Sequence, residues 1–340
     1  MTKSAIRATV AAAALLAAAS AGSSPAWAWG AMGHRLIGEA AAAAFPGDIP
    51  AFLRTPAAIQ EIGELAREPD RSKGAGVPHD PDLDPGHFVD LDDQGKVNGG
   101  PALASLPPTR QGYEAALQAV GTDGFKSGYL PYTIQEGYEQ LVKDFAYWRL
   151  ETAALKTTTK PEDRTWIARD RTLREVLILR DLGYWAHFVG DGSQPLHVSV
   201  HFNGWGAFPN PNNYTTDKIH GPFEGPFVHD HVTLAAVQAA MKPYTACSPI
   251  ATCTAQFLTT TETFVEPLYQ MWGTGAFQSA DAKAVAFTTE RVAAGATELR
   301  DLVVDAWNAS AADSVGYPKF AVHDAEAGKP VPMTVLYGDD

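Results

Sequence analysis

Apolar positions along most of the chain recur with the period of an α-helix, and strand-like alternation is nearly absent. An Ala-rich stretch from Gly33 to Phe45 stops at Pro46-Gly47, and the longest unbroken stretch runs from Arg164 to Val189. The apolar positions of that stretch are Leu173, Val176, Leu177, Leu179, Trp185 and Phe188. Further helical stretches cover 132–155, 222–241, 255–272 and 280–311. The pattern predicts a single all-α domain of several helices, without repeats or a linker.

Two long segments break this periodicity. Residues 68–108 and 190–221 are rich in proline, glycine and aspartate, which favours loops. Loops of this length inside a domain usually carry function. The end of the chain, 313–340, is also predicted to be irregular, which leaves 29–312 as the helical domain.

The first 28 residues have the order of a secretory signal peptide. Lys3 and Arg7 precede an apolar run, and Ala26-Trp27-Ala28 forms a small-x-small cleavage site. The apolar run is shorter than the roughly 20 residues that a membrane-spanning helix needs. We therefore expect a secreted or periplasmic protein whose mature chain starts at Trp29.

Charge and cysteine content narrow the classes of function. The formal net charge of −13 argues against general electrostatic binding to DNA, which depends on basic patches. The two cysteines, Cys247 and Cys253, argue against a cysteine-rich zinc site. In an oxidising compartment the pair is predicted to form a disulfide that closes a small loop.

Histidines and carboxylates recur at a spacing suited to metal binding. His187 and Asp191 are four residues apart, so they share one face of the predicted helix, and His197 follows just beyond its end. His220 and Glu224 repeat the four-residue spacing. One such pair is usually a surface pair on a helix. Two pairs around a further histidine favour a zinc site, because imidazole and carboxylate are common zinc ligands.

These residues lie in motifs that resemble a known family. The string His187-Phe-Val-Gly-Asp-x-x-Gln-Pro-Leu-His197 is similar to one shared by zinc-dependent phospholipase C and the single-strand nucleases of the S-one and P-one type. The segment Trp29-Gly30-x-x-Gly33-His34 resembles the mature start of those nucleases. With gaps, the resemblance extends from Trp29 to about Phe227. It implies the all-α fold of that superfamily, with long metal-bearing loops.

The resemblance also implies three zinc ions and nine ligand residues. The first ion would be held by Asp70, His87, His187 and Asp191, and the second by His197, His220 and Glu224. The third would be held by the amino nitrogen and carbonyl of Trp29 and by His34, and it would share Asp191. Asp70 is also implied as the catalytic residue that orients or deprotonates the attacking water.

The implied activity is hydrolysis of phosphodiesters by metal-activated water, with Phe88, Asp90 and Lys73 as substrate contacts. The spacing from Trp29 to His34 favours an endonuclease acting on single-stranded nucleic acid, whereas Glu224 is the residue found in the phospholipases. Hydrolysis of phospholipid head groups is therefore the first alternative, and a non-catalytic protein that binds zinc or phosphate is the second. A monomer without a stable protein partner is expected.

Overall fold

A computed structural model describes residues 29–338 of the chain. The predicted signal peptide, residues 1–28, lies outside the described residues. The described chain is mostly helical and carries only one two-stranded sheet, which confirms the all-α prediction. None of its helices is both long and apolar enough to cross a membrane.

The helices and strands follow one another along the chain, and the longest connections are residues 88–102 and 198–219. The α-helices are α1 (Gly30–Ala43), α2 (Pro56–Leu65), α3 (Glu68–Ser72), α4 (His79–Leu83), α5 (Arg110–Gln118), α6 (Gly124–Ser127), α7 (Leu130–Thr157), α8 (Pro161–Asp191), α9 (His220–Pro222), α10 (Val228–His231), α11 (Leu234–Ala240), α12 (Ile250–Glu262), α13 (Val265–Gly273), α14 (Ala282–Ser310), α15 (Val322–Glu326) and α16 (Met333–Tyr337). Turns of 3₁₀-helix lie at Ala51–Arg54, Asp84–His87, Leu103–Ser105 and Pro195–His197, and a π-helical turn lies at Phe223–Phe227. Strands β1 (Ser314–Val315) and β2 (Phe320–Ala321) pair antiparallel, with Ser314 opposite Ala321.

The long helices α7, α8 and α14 pack together with α1 and α2 around the main core. Helix α8 starts with Pro161, which suits the first helical turn because its missing N–H needs no partner there. Ile178 and Leu182 of α8 are completely buried, whereas Leu173, Val176 and Leu177 are 52%, 61% and 45% exposed. The apolar residues singled out in the middle of this helix therefore face outward.

The continuous helix predicted for 222–241 is wrong. The chain passes instead from α9 through the π-helical turn into α10, becomes extended at Val232, and restarts as α11 with Thr233 as its N-cap. Pro226 lies inside the π-helical turn and cannot donate a main-chain hydrogen bond, so a regular helix is interrupted there. The predicted helix 255–272 is likewise divided into α12 and α13.

The segment after α14, expected to be irregular, contains the β1–β2 hairpin, α15 and α16. Val315, Val322 and Val335 of this segment are buried together with Leu150 of α7 and Ile167 of α8 in a second, smaller hydrophobic cluster. The hairpin, α15 and α16 are too short to show a periodic pattern of apolar residues in the sequence. Their apolar side chains are buried by packing against α7 and α8.

Candidate metal centre

Eight predicted ligand side chains converge at the C-terminal end of α8. His34 comes from α1, Asp70 from α3, His87 from a 3₁₀ turn, and His187 and Asp191 from the last turn of α8. The others follow from the next 3₁₀ turn, α9 and the π-helical turn: His197, His220 and Glu224. Each of the eight side chains is at least 96% buried. Segments far apart in sequence therefore meet in one polar pocket inside a hydrophobic core.

The first group joins the loop residues to α8. His187 Nε2 lies 2.9 Å from His87 Nδ1 and 3.7 Å from Asp70 Oδ1. Asp191 Oδ2 is 3.0 Å from His87 Nδ1 and 3.3 Å from His187 Nε2. Two imidazole nitrogens and two carboxylates thus face a common point, as the first predicted ion requires.

The second group combines the residues after α8. Glu224 Oε2 is 2.7 Å from His220 Nε2 and 3.7 Å from His197 Nε2. The pair His220 and Glu224 are one helical turn apart, so their side chains lie on the same side of the α9 and π-helical segment. This group matches the second predicted ion and contains three side chains.

The third group adds His34. Its ring stacks on that of His187, with 3.8 Å between ring centroids, and His34 Nε2 is 3.5 Å from Asp191 Oδ1. His34, His187 and Asp191 could hold a metal ion together. His187 and Asp191 therefore take part in more than one group.

Trp29 is fixed beside this third group. Its completely buried indole donates from Nε1 to Gly190 O and Ser193 Oγ, both at 2.9 Å, on either side of Asp191 in the chain. The Trp29 carbonyl also accepts a hydrogen bond from the Gly33 N–H at 3.1 Å. A free amine at Trp29 depends on the cleavage site, which lies outside the described residues.

Main-chain carbonyls orient two of the imidazoles. His187 Nδ1 donates to Ala66 O at 2.8 Å, and His197 Nδ1 donates to His87 O at 2.7 Å. A nitrogen that faces a carbonyl must carry the proton, so Nε2 of each ring turns its lone pair toward the cluster. Such outer partners are characteristic of histidines that bind metals.

The protonation states of the group members also suit metal binding. Burial lowers the pKa of His34, and the neighbouring His187 lowers it further. Burial likewise lowers the pKa of His87 to about 3. Burial alone would raise the pKa of Asp191, but His187 and His197 hold it well below its usual range. Burial alone would also lower the pKa of His187 and His197, but Asp191 raises the pKa of both rings. His34 and His87 are thus held neutral and Asp191 ionised, and these are the forms that bind cations.

Several polar atoms in the cluster have no hydrogen-bond partner among residues 29–338. They are both ring nitrogens of His34, Asp70 Oδ2, Asp191 Oδ1, His197 Nε2, His220 Nδ1 and Glu224 Oε1. Most buried polar groups in folded proteins are hydrogen-bonded, so a cluster of such atoms calls for an explanation. A set of metal ions among them supplies one.

A cavity of about 350 Å³ borders the cluster of candidate metal ligands. His87, His197 and His220 line it together with all three predicted substrate residues, Phe88, Asp90 and Lys73. Burial raises the pKa of Asp90 to about 8, although His197 opposes the shift. Lys73 Nζ pairs with Asp70 Oδ1 at 2.6 Å. The cavity therefore brings an aromatic ring, a buried carboxyl and a cation next to the candidate ligands.

Four cavity residues were not predicted from the sequence: Asp84, Lys126, Leu196 and Phe202. Lys126 lies on α6, a four-residue helix that hydrophobic periodicity does not reveal. Main-chain bonds fix α6 to the loop, since the Asp90 N–H donates to Ser127 O at 2.9 Å. Leu196 could have been noticed because it lies inside the histidine motif.

The two cysteines lie apart from this site. The Cys247 and Cys253 sulfurs are 2.14 Å apart and form a disulfide, as the sequence predicts. The disulfide connects the segment before α12 to Cys253 in the first turn of that helix. The same segment contacts α14, because the Thr245 and Cys247 N–H groups donate hydrogen bonds to Asp301 and Asp305. The place of the disulfide in the structure indicates a stabilising role.

Comparisons with protein-family models, curated proteins and solved structures gave no match to this chain. The arrangement of the site and the motifs in the sequence are therefore the basis for assigning a function.

Proposed function

We propose that this chain is a zinc-dependent phosphodiesterase, and that its preferred substrate is single-stranded nucleic acid. The observation that carries the proposal is the convergence of eight buried histidine, aspartate and glutamate side chains in three groups, two of which share His187, beside a cavity. A structural metal site would not need an adjoining cavity, and structural zinc is normally closed by four protein ligands. The second group offers three.

The donor set fits zinc. Imidazole and carboxylate ligands without thiolates are typical of catalytic zinc, and the cluster's polar atoms without partners are those that zinc would engage. When bound, zinc ions activate water and offset the negative charge that develops on a phosphoryl group. Asp70 is the proposed acceptor of the water proton, because its carboxylate is part of the first group and Oδ2 has no hydrogen-bond partner in the described chain.

The cavity favours a nucleotide over a choline head group. Lys73 and Lys126 both line it, and each would attract phosphate and repel a quaternary ammonium group. Phe88 offers a face on which a base can stack. Asp90 lines the same cavity, and its carboxyl can hydrogen-bond with a base edge.

One observation supports the phospholipase alternative. Phe202 at the cavity and Phe125, next to Lys126, are 47% and 57% exposed, and Leu83, next to Asp84, is 45% exposed. An apolar rim of this kind around a catalytic cleft would suit contact with a lipid surface.

The deciding experiment uses one purified sample that begins at Trp29. Elemental analysis should find three zinc ions per chain, and the sample should hydrolyse single-stranded DNA and RNA faster than phosphatidylcholine vesicles. Preference for the vesicles would support the phospholipase alternative. Zinc without any hydrolysis would support a binding protein, and a chain that takes up no zinc would overturn the proposal.

A further inference from the structure

Gln194 is completely buried beside the group of His197, His220 and Glu224. Its side-chain oxygen and nitrogen both have hydrogen-bond partners. It lies in the short loop between Asp191 and His197. Its Oε1 accepts a hydrogen bond from the Leu196 N–H at 2.6 Å. Its Nε2 donates to Glu224 Oε2 at 3.1 Å and lies 3.2 Å from His220 Nε2.

The orientation of this amide is determined by its surroundings. The Leu196 N–H is a donor, so it must face the amide oxygen, and the NH₂ group is thereby directed at the carboxylate of Glu224. An apolar side chain would be the ordinary choice for such a buried position, because burial of an amide is costly unless every polar atom has a partner. We therefore attribute the glutamine at position 194 to its hydrogen bond with Glu224.

That partner belongs to a segment with little regularity of its own. Glu224 lies in the π-helical turn, next to Gly225 and Pro226, where regular helical hydrogen bonding is interrupted. His197, by contrast, is held by its bond to the His87 carbonyl. Gln194 links the loop carrying His197 to Glu224, and Asn203 Oδ1 accepts a hydrogen bond from the His220 N–H at 3.2 Å.

We propose that Gln194 is a positioning residue for the group formed by His197, His220 and Glu224, and that it sets the affinity of this group for its metal ion. By holding Glu224 Oε2, the amide leaves Oε1 without a partner in the described chain and fixes the direction of the carboxylate. The inference rests on the proposed function only in that this group binds zinc. Gln194 itself touches neither substrate nor the reacting atoms.

The test is Gln194→Met, which keeps the length of the side chain and removes both polar ends. Loss of an outer partner typically lowers metal affinity by about 10–100-fold, so one zinc ion should bind more weakly by that factor while the other two are retained. Competition with a chromogenic chelator, followed by native mass spectrometry to count the ions, measures this directly. Replacement of zinc by cobalt should show an altered visible spectrum for one site.

Gln140→Met is a control for the loss of a glutamine–carboxylate hydrogen bond, at an exposed position. Gln140 Nε2 also donates to a carboxylate, Asp144 Oδ1 at 3.2 Å, but on α7 and away from the metal cluster. This variant should bind three ions with unchanged affinity. A general effect of removing a glutamine–carboxylate bond would appear in both variants.

The outcomes separate the two proposals. Three ions of wild-type affinity in folded Gln194→Met would overturn the role of Gln194 alone, whereas a wild-type chain without zinc would overturn the proposed function as well. If Gln194→Met does not fold, the wild-type side-chain amide can be followed by NMR. Its protons should exchange slowly and shift on zinc loading, and rapid exchange without a shift would contradict the inference.

Discussion

Two buried carboxylates lie in or against helix α8, Asp144 at its middle and Asp191 at its C-terminal end, and different side chains face them. In its middle, Arg174 Nη1 donates to Asp144 Oδ1 of α7 at 2.9 Å. At its C-terminal end, Asp191 faces the imidazoles of His87 and His187. A guanidinium keeps its charge at any ordinary pH, whereas burial lowers the pKa of His87 to about 3. The middle pair is therefore neutralised within the chain at any ordinary pH. In the cluster at the C-terminal end of α8 (the terminal cluster), neutralisation depends on imidazoles: burial lowers the pKa of His34 and His87, whereas Asp191, against the effect of burial, raises that of His187 and His197.

The largest expected effect is at the terminal cluster. Asp191→Asn removes a carboxylate that contributes to more than one group, so the protein should lose bound zinc. Hydrolysis of single-stranded DNA should fall by more than the roughly 10–100-fold typical for loss of an outer partner. Elemental analysis and initial rates measure the two quantities. Full zinc content at a wild-type rate would show that the terminal cluster is not a metal centre.

Asp144→Asn makes the same chemical change in the middle of the helices. It leaves the Arg174 guanidinium without its carboxylate, which should lower the free energy of unfolding by about 1–3 kcal/mol. Zinc content should not change, because the side-chain partners of Asp144 are Gln140 and Arg174, and neither is a candidate ligand. Urea denaturation in parallel with elemental analysis checks both points, and a loss of zinc here would remove the distinction between the two regions.

The next effect depends on pH and concerns Glu151, a completely buried residue of α7 close to the same arginine. Burial raises its pKa to about 8, assisted by Asp170 and opposed by Arg174 and Arg171. The protonated form is favoured in the folded state. Its stabilising contribution is therefore complete below the unfolded value of 4.5 and is lost as pH rises toward 8.

Glu151→Gln keeps a donor toward Asp170 and cannot ionise. The variant should be more stable than the wild type at pH 8 and similar to it near pH 4.5, and each pH unit of the difference is worth up to about 1.4 kcal/mol. Thermal unfolding of the zinc-free proteins across this range gives the measurement. Parallel stability curves for the two proteins would mean that Glu151 does not titrate in this range.

The smallest effect is expected at the cavity. Lys126→Gln removes a cation that is 66% exposed, so KM for single-stranded DNA should rise only a few-fold while kcat is retained. If Lys126 contacts one phosphate, the slope of log affinity against log salt should fall by about 0.7. Rate measurements at several salt concentrations determine both values, and an unchanged slope would place Lys126 outside the substrate path.

The spacing of residues along the chain was enough to predict which candidate ligands lie on the same side of a helical segment. His187 with Asp191, and His220 with Glu224, follow from the four-residue period of a helix. The resemblance to the phospholipase and nuclease sequences added Asp70 and His87, which no local pattern in the long loop identifies as partners of α8. Their meeting depends on how α3 and the following 3₁₀ turn pack against α8, and that is a property of the whole fold.

Other features could not be predicted because they depend on context beyond the local pattern. Leu173 looks apolar in the sequence but faces outward, since α8 turns the side of Ile178 and Leu182 toward the core. Within 222–241, Pro226 lies in a π-helical turn, and the break follows at Val232, which is extended, before Thr233 caps α11. Gln194 gave no signal of its contact with Glu224, because that contact joins two segments thirty residues apart.

His187 and Asp191 each belong to more than one group, and this sharing has a consequence for how the protein would acquire its ions. An ion that binds the first group fixes two side chains that the third group also needs, so the entropy cost of the next binding event is already met. Loading would then be cooperative, with few partly filled molecules at intermediate zinc concentrations. The protein would fill these two groups together over a narrow range of available metal, whereas the group of His197, His220 and Glu224 shares no ligand with them and would load separately.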